Sequence, residues 1–189
     1  LDSAVRSTRH PNRYCQILNY QIPNYSDLRA IYLWPHLTEF IRQVLNVEYL
    51  FLSQCPHLAL TMKVAYEGDT DGWHYDPNDG VITLVLQAAD NGGEFEYAPN
   101  IRNKNDQNYA GVDRLFKSPD VEATRPTLEP GTFTFFNGRH SMHRVRPVGS
   151  TRQPRIVSIF SFDQRPDHFF AQSYIDKLRR FPQGPPIVD

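Results

Sequence analysis

The stretch "DGWHYDPND", residues 71–79, places His74 and Asp76 two positions apart. In a β-strand, side chains two positions apart point to the same face, so this imidazole and this carboxylate could bind one cation while Tyr75 faces away. His143, in "FFNGRHSMHRVRPV", is the candidate for a third ligand because it lies between two strand-like runs. An H-x-D pair alone is more often part of a solvated loop, so the metal-site prediction depends on the combination.

Two imidazoles and one carboxylate form a facial triad, which leaves three neighbouring positions open on an octahedral iron(II) ion. Oxygen chemistry needs such open positions, two for a chelating cosubstrate and one for O2. The same ligands would also accept cobalt, nickel or manganese, so the ligand set by itself does not identify the metal.

Arg155 opens the strand-like run "RIVSIFSF". A cation in such an apolar run is costly to bury without a partner. Its guanidinium can form a bidentate, charge-assisted pair with a carboxylate, and it would suit the distal carboxylate of 2-oxoglutarate. Arg152 is the rival, but it lies in the "GSTRQP" turn, outside the β-patterned run. The alternative for Arg155 is a surface arginine on an edge strand.

The elements that must position these side chains are short strands from Leu58 onwards. They are rich in β-branched and aromatic residues, and glycine, proline, asparagine and aspartate separate them. The predicted strands are "LALTMKVAY", "VITLVLQAA", "GGEFEYAP", "GTFTFFNG" and "RIVSIFSF". Asn91-Gly92-Gly93 between two of these runs is typical of a tight hairpin.

Helices are predicted on both sides of the strands. The segment after Pro23 contains two helical pieces separated by Pro35, and the second has apolar residues at the spacing of a buried helix face. The polar stretch 100–127 is predicted to be a long irregular excursion. The run "PDHFFAQSYIDKLRRF" predicts a closing helix that begins at Pro166-Asp167.

This order of elements favours a mainly β fold, a jelly-roll-like double sheet with helical support. We expect a single domain over residues 1–189. Its helical support would occupy 1–57, its β core 58–163, and its C-terminal helix and tail 164–189.

The composition excludes several classes of protein. The chain has 189 residues and a formal net charge of −1, which gives no electrostatic reason to expect a nucleic-acid partner. No apolar run approaches the roughly 20 residues of a membrane-spanning helix. Two cysteines are too few for a disulfide scaffold, so a cytoplasmic protein is expected.

The pieces "WHYD", "LVLQAADNGGEFEY", "PGTFTFFNGRHSMHRVRPV" and "PRIVSIFSFD" resemble the iron(II)/2-oxoglutarate-dependent oxygenase superfamily. Within it, they resemble the free-amino-acid halogenases and hydroxylases that act without a carrier protein. The resemblance implies a double-stranded β-helix, that is, a cupin-like jelly roll. It also implies iron(II) bound by His74, Asp76 and His143, with 2-oxoglutarate and O2 as cosubstrates and Arg155 as the cosubstrate clamp.

Asp76 bears on the reaction. Halogenases of this group have glycine at that position, which opens a coordination site for chloride, whereas a carboxylate occupies the site. We therefore expect hydroxylation of an unactivated C–H bond of an amino acid or related small molecule, with release of succinate and CO2. Desaturation or halogenation stays an alternative.

Further residues near the motif are candidates for binding. Tyr66 and Thr83 could contact 2-oxoglutarate, although a core tyrosine and a plain strand threonine are the competing interpretations. Side chains that could contact the substrate are Trp73, Asn78, Asp71, Glu96, Arg102 and Arg139. For the charged ones a solvated surface position is the simpler explanation, and for Trp73 it is packing.

Two rival functions remain open. One is an oxygenase that acts on a macromolecule, and the other is a non-oxidative, cupin-like metal-binding protein. The second would have no need of a carboxylate clamp, so Arg155 separates it from an oxygenase. The expected partner is a small-molecule substrate, with no nucleic acid and no membrane, and a homodimer is possible.

Overall fold

The structure, a computed structural model, describes residues 11–76, 80–167 and 169–178. Its strands are β1 (Asn12–Arg13), β2 (Cys15–Ile17), β3 (Phe51–Leu52), β4 (Leu60–Ala65), β5 (Thr70–His74), β6 (Gly80–Gln87), β7 (Phe95–Ala98), β8 (Phe133–Phe135), β9 (Met142–Val145) and β10 (Arg155–Asp163). Its α-helices are α1 (Asp27–Leu33), α2 (Pro35–Leu45), α3 (Tyr109–Lys117), α4 (Pro119–Glu122) and α5 (Gln172–Leu178).

The strands form two sheets. The four-stranded sheet has the order β1-β5-β9-β7, and each of its neighbouring pairs is antiparallel. The other sheet has the order β2-β4-β10-β6-β8, and β3 pairs with β10. Each strand predicted from the sequence is present, with bounds that differ by up to three residues at either end, and two sheets of this kind agree with the expected jelly roll.

The chain divides into two compact units. The first comprises Leu1–Cys15 and Lys63–Val157, and the second comprises Gln16–Met62 and Ser158–Asp189. The complete four-stranded sheet, α3 and α4 belong to the first unit. That the chain is one functional domain stays a prediction.

In the second unit, α1 and α2 confirm the break predicted at Pro35. The Ser26 side chain accepts a hydrogen bond from the Arg29 backbone N–H and so caps α1, while Pro35 occupies the first turn of α2, where its missing N–H costs nothing. The Tyr32 hydroxyl donates to the Ser161 carbonyl over 2.8 Å. The closing helix α5 begins at Gln172, later than the predicted start at Pro166.

The irregular excursion predicted for 100–127 is wrong, because α3 and α4 lie within it. Asn108 caps α3 by accepting a hydrogen bond from the Gly111 N–H. Val112 and Leu115 are buried against the strand residue Trp73, with Phe116 beside them. Only a few apolar residues of this segment recur at helical spacing, so the surrounding polar residues hid the pattern.

The predicted hairpin at Asn91-Gly92-Gly93 is also wrong. The turn is tight, and Gly92 and Gly93 have φ angles of 70° and 71°. It joins β6 in one sheet to β7 in the other, however, so its flanking strands are not partners. An added Cβ at Gly92 would lie 2.5 Å from the Gly149 nitrogen and the Pro147 oxygen, so glycine is required for backbone approach as well as for φ.

None of the α-helices in the described part of the chain is both long enough and apolar enough to cross a bilayer.

Gly92→Ala should destabilise the fold strongly. We expect a loss of about 3 kcal/mol in the free energy of unfolding, because the left-handed backbone and the overpacked turn each contribute. Gly131→Ala is the matched control: its φ is 91°, but nothing lies within 4 Å of the added Cβ, so about 1 kcal/mol should be lost. Urea unfolding of both variants measures the difference, and equal losses would contradict the close approach at Gly92.

Candidate metal centre

The structure brings His74, Asp76 and His143 together. His74 ends β5 and faces His143 in the neighbouring strand β9, and their ring centroids are 4.2 Å apart. The Asp76 Oδ1 atom lies 3.6 Å from His143 Nε2 and 4.0 Å from His74 Nε2. One nitrogen or oxygen atom from each of the three residues lies within 4.8 Å of the others, which is close enough for one cation to bind all three.

Both imidazoles are held by their Nδ1 atoms. His74 Nδ1 lies 2.7 Å from the Gly72 carbonyl oxygen, and His143 Nδ1 lies 2.9 Å from the Ser141 carbonyl oxygen. A carbonyl can only accept, so each Nδ1 carries the hydrogen and each Nε2 keeps its lone pair. This is the arrangement in which proteins orient histidines that bind metals.

An irregularity in β5 points His74 towards this site. Asp71 pairs with Val145 and His74 pairs with His143, so β5 contains one more residue than β9 between the two pairs. Such a bulge changes the side-chain alternation. Trp73 consequently packs in the buried cluster with Val112 and Leu115, while Asp71 and His74 are near one another.

Asp76 follows β5 and is positioned by Gly138, a residue that the sequence did not single out. The Asp76 N–H donates to the Gly138 carbonyl over 3.0 Å. An added Cβ at Gly138 would lie 1.8 Å from Asp76 Oδ2, so only glycine leaves room for the carboxylate. Oδ2 is buried without a hydrogen-bond partner among the described residues, and a bound cation would satisfy such an oxygen.

The protonation states suit a metal. Burial lowers the pKa of His74, although the negative charge of Asp71 opposes this effect. Burial raises the pKa of Asp76, but the hydrogen bond and charge of His143, together with the charges of His74 and Lys63, outweigh it, so the pKa is lowered. A neutral imidazole and an ionised carboxylate are the forms that coordinate a cation.

Aromatic rings cover one side of the site. The Phe136 and Phe95 ring centroids lie 4.8 Å and 5.9 Å from that of His143. Phe95 also lines a cavity of about 260 Å³. The cavity walls are formed by Val85, Ala88, Ala89, Gly92, Gly93, Glu94, Phe95, Arg125, Pro126, Thr127, Leu128 and Arg155.

Arg155 is a cation without an ion-pair partner on the wall of this cavity. Its guanidinium makes no hydrogen bond or ion pair with any residue that the structure describes. Burial lowers its pKa to about 10, while the charge of Asp71 acts in the opposite direction, so the guanidinium stays charged at neutral pH. A buried cation of this kind calls for a carboxylate ligand. Arg152, the rival, has a side chain that is 92% exposed and pairs with Asp90.

The other two candidates for cosubstrate contact differ from each other. Thr83 is half-buried in β6 and shares a strand face with Val85, which lines the cavity. Its cross-strand partner Thr134 has a buried hydroxyl without a hydrogen-bond partner in the described chain. Tyr66 is 57% exposed just after β4, and the structure shows no ring contact of it with the triad or Arg155.

Three of the predicted substrate contacts have partners within the fold, and their role in substrate binding stays a prediction. Trp73 packs under α3, as described above. Glu96 is fully buried and accepts hydrogen bonds from Arg125, Arg144 and Arg146. Asp71 is buried too and pairs with Lys63 over 2.5 Å. Neither Glu96 nor Asp71 is a solvated surface charge, which was the simplest alternative for both.

Arg102 lies beside the metal-ligand segment. Its guanidinium is stacked 3.5 Å above the Tyr75 ring, and its Nε donates to the Arg139 carbonyl over 2.8 Å. Arg139 is exposed in the loop before β9. Asn78 lies outside the described residues.

The comparisons with known proteins identify the family. The family model described as Halogenase D matches residues 2–174. The chain belongs to the Halogenase D family. Among curated proteins, none matches the sequence.

Two solved structures show the fold of this Halogenase D family member. An oxidoreductase of the 2OG-Fe(II) oxygenase family from Burkholderia pseudomallei has a TM-score of 0.56 at 14% identity, covering 82% of this chain and 66% of its own. A viral collagen prolyl hydroxylase from Paramecium Bursaria Chlorella virus-1, in complex with 2OG, has a TM-score of 0.51 at 14% identity, covering 81% of this chain and 80% of its own. The chain thus spans just under two thirds of the first of these proteins.

The predicted fold and family group are confirmed, because the chain belongs to the Halogenase D family and shares the fold of a 2OG-Fe(II) oxygenase family oxidoreductase. Iron(II), 2-oxoglutarate and O2 are the cofactor and cosubstrates that agree with this membership and with the cluster of His74, Asp76 and His143.

Gly138→Ala should displace the Asp76 carboxylate. We expect at least a tenfold loss of affinity for cobalt(II), roughly what the loss of a supporting group costs at a metal site. Isothermal titration calorimetry measures this affinity.

The control is the double variant Gly138→Ala/Asp76→Ala. Because the clash needs both side chains, the double variant should bind cobalt(II) no more weakly than Asp76→Ala alone. Additive losses would show that Gly138 acts in some other way.

Proposed function

We propose that the protein is an iron(II)- and 2-oxoglutarate-dependent hydroxylase that acts on an unactivated C–H bond of a free amino acid or a related small molecule. The products would be the hydroxylated substrate, succinate and CO2. The observation that carries the proposal is the carboxylate of Asp76, whose Oδ1 atom lies 4.0 Å from His74 Nε2 and 3.6 Å from His143 Nε2.

His74, Asp76 and His143 would hold the iron, with three positions left for ligands. Iron(II) with 2-oxoglutarate supplies the activation of O2 in this class of enzyme. The chain's own residues hold and orient the reactants. Arg155 binds the far carboxylate of 2-oxoglutarate, Thr83 adds a hydroxyl on the same inner face, and Phe95 and Phe136 keep water away from His143.

Asp76 supports hydroxylation within a family that is named after halogenases. A halide would need the position that this carboxylate fills. The space between residues 76 and 138 is closed, since the Asp76 Oδ2 atom occupies the place of a side chain at Gly138. A hydroxyl group is therefore the expected product group, and halogenation or desaturation is the alternative outcome.

Charges around the site support a zwitterionic substrate. Glu94 and Arg125 line the cavity together with Arg155, and Arg102 lies next to Tyr75 at the segment that carries Asp76. An ammonium group would be bound by Glu94, and a carboxylate by Arg102 or Arg125. Arg139 in the neighbouring loop is a further candidate for the carboxylate.

The reaction itself is tested by incubating the protein with iron(II), 2-oxoglutarate, O2 and a panel of amino acids. We expect formation of succinate that depends on one substrate class, and a hydroxylated product by mass spectrometry with one oxygen atom added. Chlorinated product in the presence of chloride would contradict the role given to Asp76. Absence of succinate with every substrate, when iron is bound, would contradict the proposed function.

Arg155→Ala should raise the KM for 2-oxoglutarate by at least tenfold, since a charge-assisted pair with the cosubstrate is lost. Arg152→Ala is the control of matched chemistry, and because its guanidinium is exposed and pairs with Asp90, it should leave this KM unchanged. Steady-state succinate formation measures both. Equal effects of the two substitutions would remove Arg155 from the cosubstrate site.

A further inference from the structure

Asp71 is a buried carboxylate directly behind His74. Its side chain is only 6% exposed, and its Oδ2 atom pairs with Lys63 Nζ over 2.5 Å. Its Oδ1 atom lies 3.8 Å from His74 Nδ1. The bulge in β5 is what places these two side chains, three positions apart, near one another.

Lys63 fixes this carboxylate. Its ammonium group lies 4.5 Å from the centre of the Tyr14 ring, so the pair is bounded by an aromatic face. The 2.5 Å ion pair with Lys63 stabilises the charged form of this carboxylate inside the fold. Asp71 is therefore a held, ionised group.

The geometry argues against a substrate role for Asp71. The carboxylate lies on the Nδ1 side of the His74 ring, while the shared cation point lies on the Nε2 side. Since the Gly72 carbonyl already accepts the Nδ1 hydrogen over 2.7 Å, and 3.8 Å is too long for a hydrogen bond, Asp71 acts on the ring through its charge.

We propose that Asp71, held by Lys63, is a positioning residue of the metal centre, and that its negative charge strengthens cation binding through His74. This inference rests on the metal site of the proposed function. A negative charge behind an imidazole makes the opposite nitrogen a better ligand, as carboxylates do at many metal sites.

The negative charge of Asp71 has the opposite effect on the binding of 2-oxoglutarate. Asp71 is the group whose charge acts on Arg155 against the effect of burial. An anion near Arg155 repels a dicarboxylate, so it can only weaken or leave unchanged the binding of 2-oxoglutarate. The two affinities should therefore respond in different directions when the charge is removed, whereas simple loosening of the site would weaken both.

The test is Asp71→Asn, which keeps the shape and removes the charge. Cobalt(II) binding to the full chain, measured by calorimetry and by the visible absorption of the bound ion, should weaken by about tenfold. Binding of 2-oxoglutarate to the protein saturated with cobalt(II) should be unchanged or tighter. Unchanged cobalt(II) affinity, or weakening of both affinities, would overturn the proposal.

Asp69→Asn is the matched control. Asp69 is buried to nearly the same degree, with 7% of the residue exposed, and its carboxylate pairs with Arg13 and accepts from the Tyr66 N–H rather than facing His74. Asp69→Asn should leave the cobalt(II) affinity unchanged, whatever it does to the melting temperature. If Asp69→Asn weakens cobalt(II) binding as much as Asp71→Asn does, the effect is general loosening and the proposal fails.

Lys63→Gln is the second variant, for the case in which Asp71→Asn does not fold. It removes the positive charge of the pair and keeps a side chain that can donate a hydrogen bond to Asp71, so cobalt(II) should bind at least as tightly as to the unchanged protein, and weaker binding would overturn the inference. His143→Ala distinguishes a failure of the metal site from a failure of the positioning role. If this variant binds cobalt(II) as well as the unchanged protein does, the proposed metal site is wrong. If His143→Ala loses cobalt(II) binding while Asp71→Asn keeps it, only the positioning role of Asp71 is rejected.

Discussion

The pairing of β5 with β9 is the constraint on which the site depends. It sets His74 opposite His143, and the extra residue in β5 decides which side chains of that strand face the shared point. The backbone also fixes the rings, because the carbonyls of Gly72 and Ser141 each hold an imidazole by its Nδ1 atom. Strand register therefore determines the geometry of the two histidine ligands, and side-chain packing stabilises that geometry.

Buried charges in the first unit have two contrasting environments. Glu96 is surrounded by the guanidinium groups of Arg125, Arg144 and Arg146, and Glu96 faces Arg144 across the β7–β9 pair. Such a network pairs both oxygens of the carboxylate and ties β7 to the strand that carries His143. Arg155, by contrast, keeps an unmatched charge on a cavity wall. The charges of the Glu96 network are paired with one another, whereas the guanidinium of Arg155 is available to an anionic ligand.

The sequence predicted β4, β6, β7, β8 and β10, the two-piece helical segment and the approach of His74, Asp76 and His143, because period-two patterns, Pro35 and the H-x-D spacing are local signals. It did not predict α3, whose few apolar residues are diluted by polar ones. It did not predict that Glu96 and Asp71 are buried and paired, since Arg144 faces Glu96 only through the β7–β9 pairing and Lys63 reaches Asp71 from a strand of the other sheet. Gly138 was missed for the same reason: nothing in "FNGR" reveals that its absent side chain makes room for Asp76.

The contact between Gly138 and Asp76 has an evolutionary consequence. In the proposed site, Gly138 leaves room next to the metal position, and the carboxylate of Asp76, on another segment, fills that room. Aspartate and glycine codons differ by one base, so a change at residue 76 would empty that room while residue 138 stays as it is. Proteins that descend from one ancestral gene could then differ in the atom they transfer to a substrate while the two sheets keep the same structure.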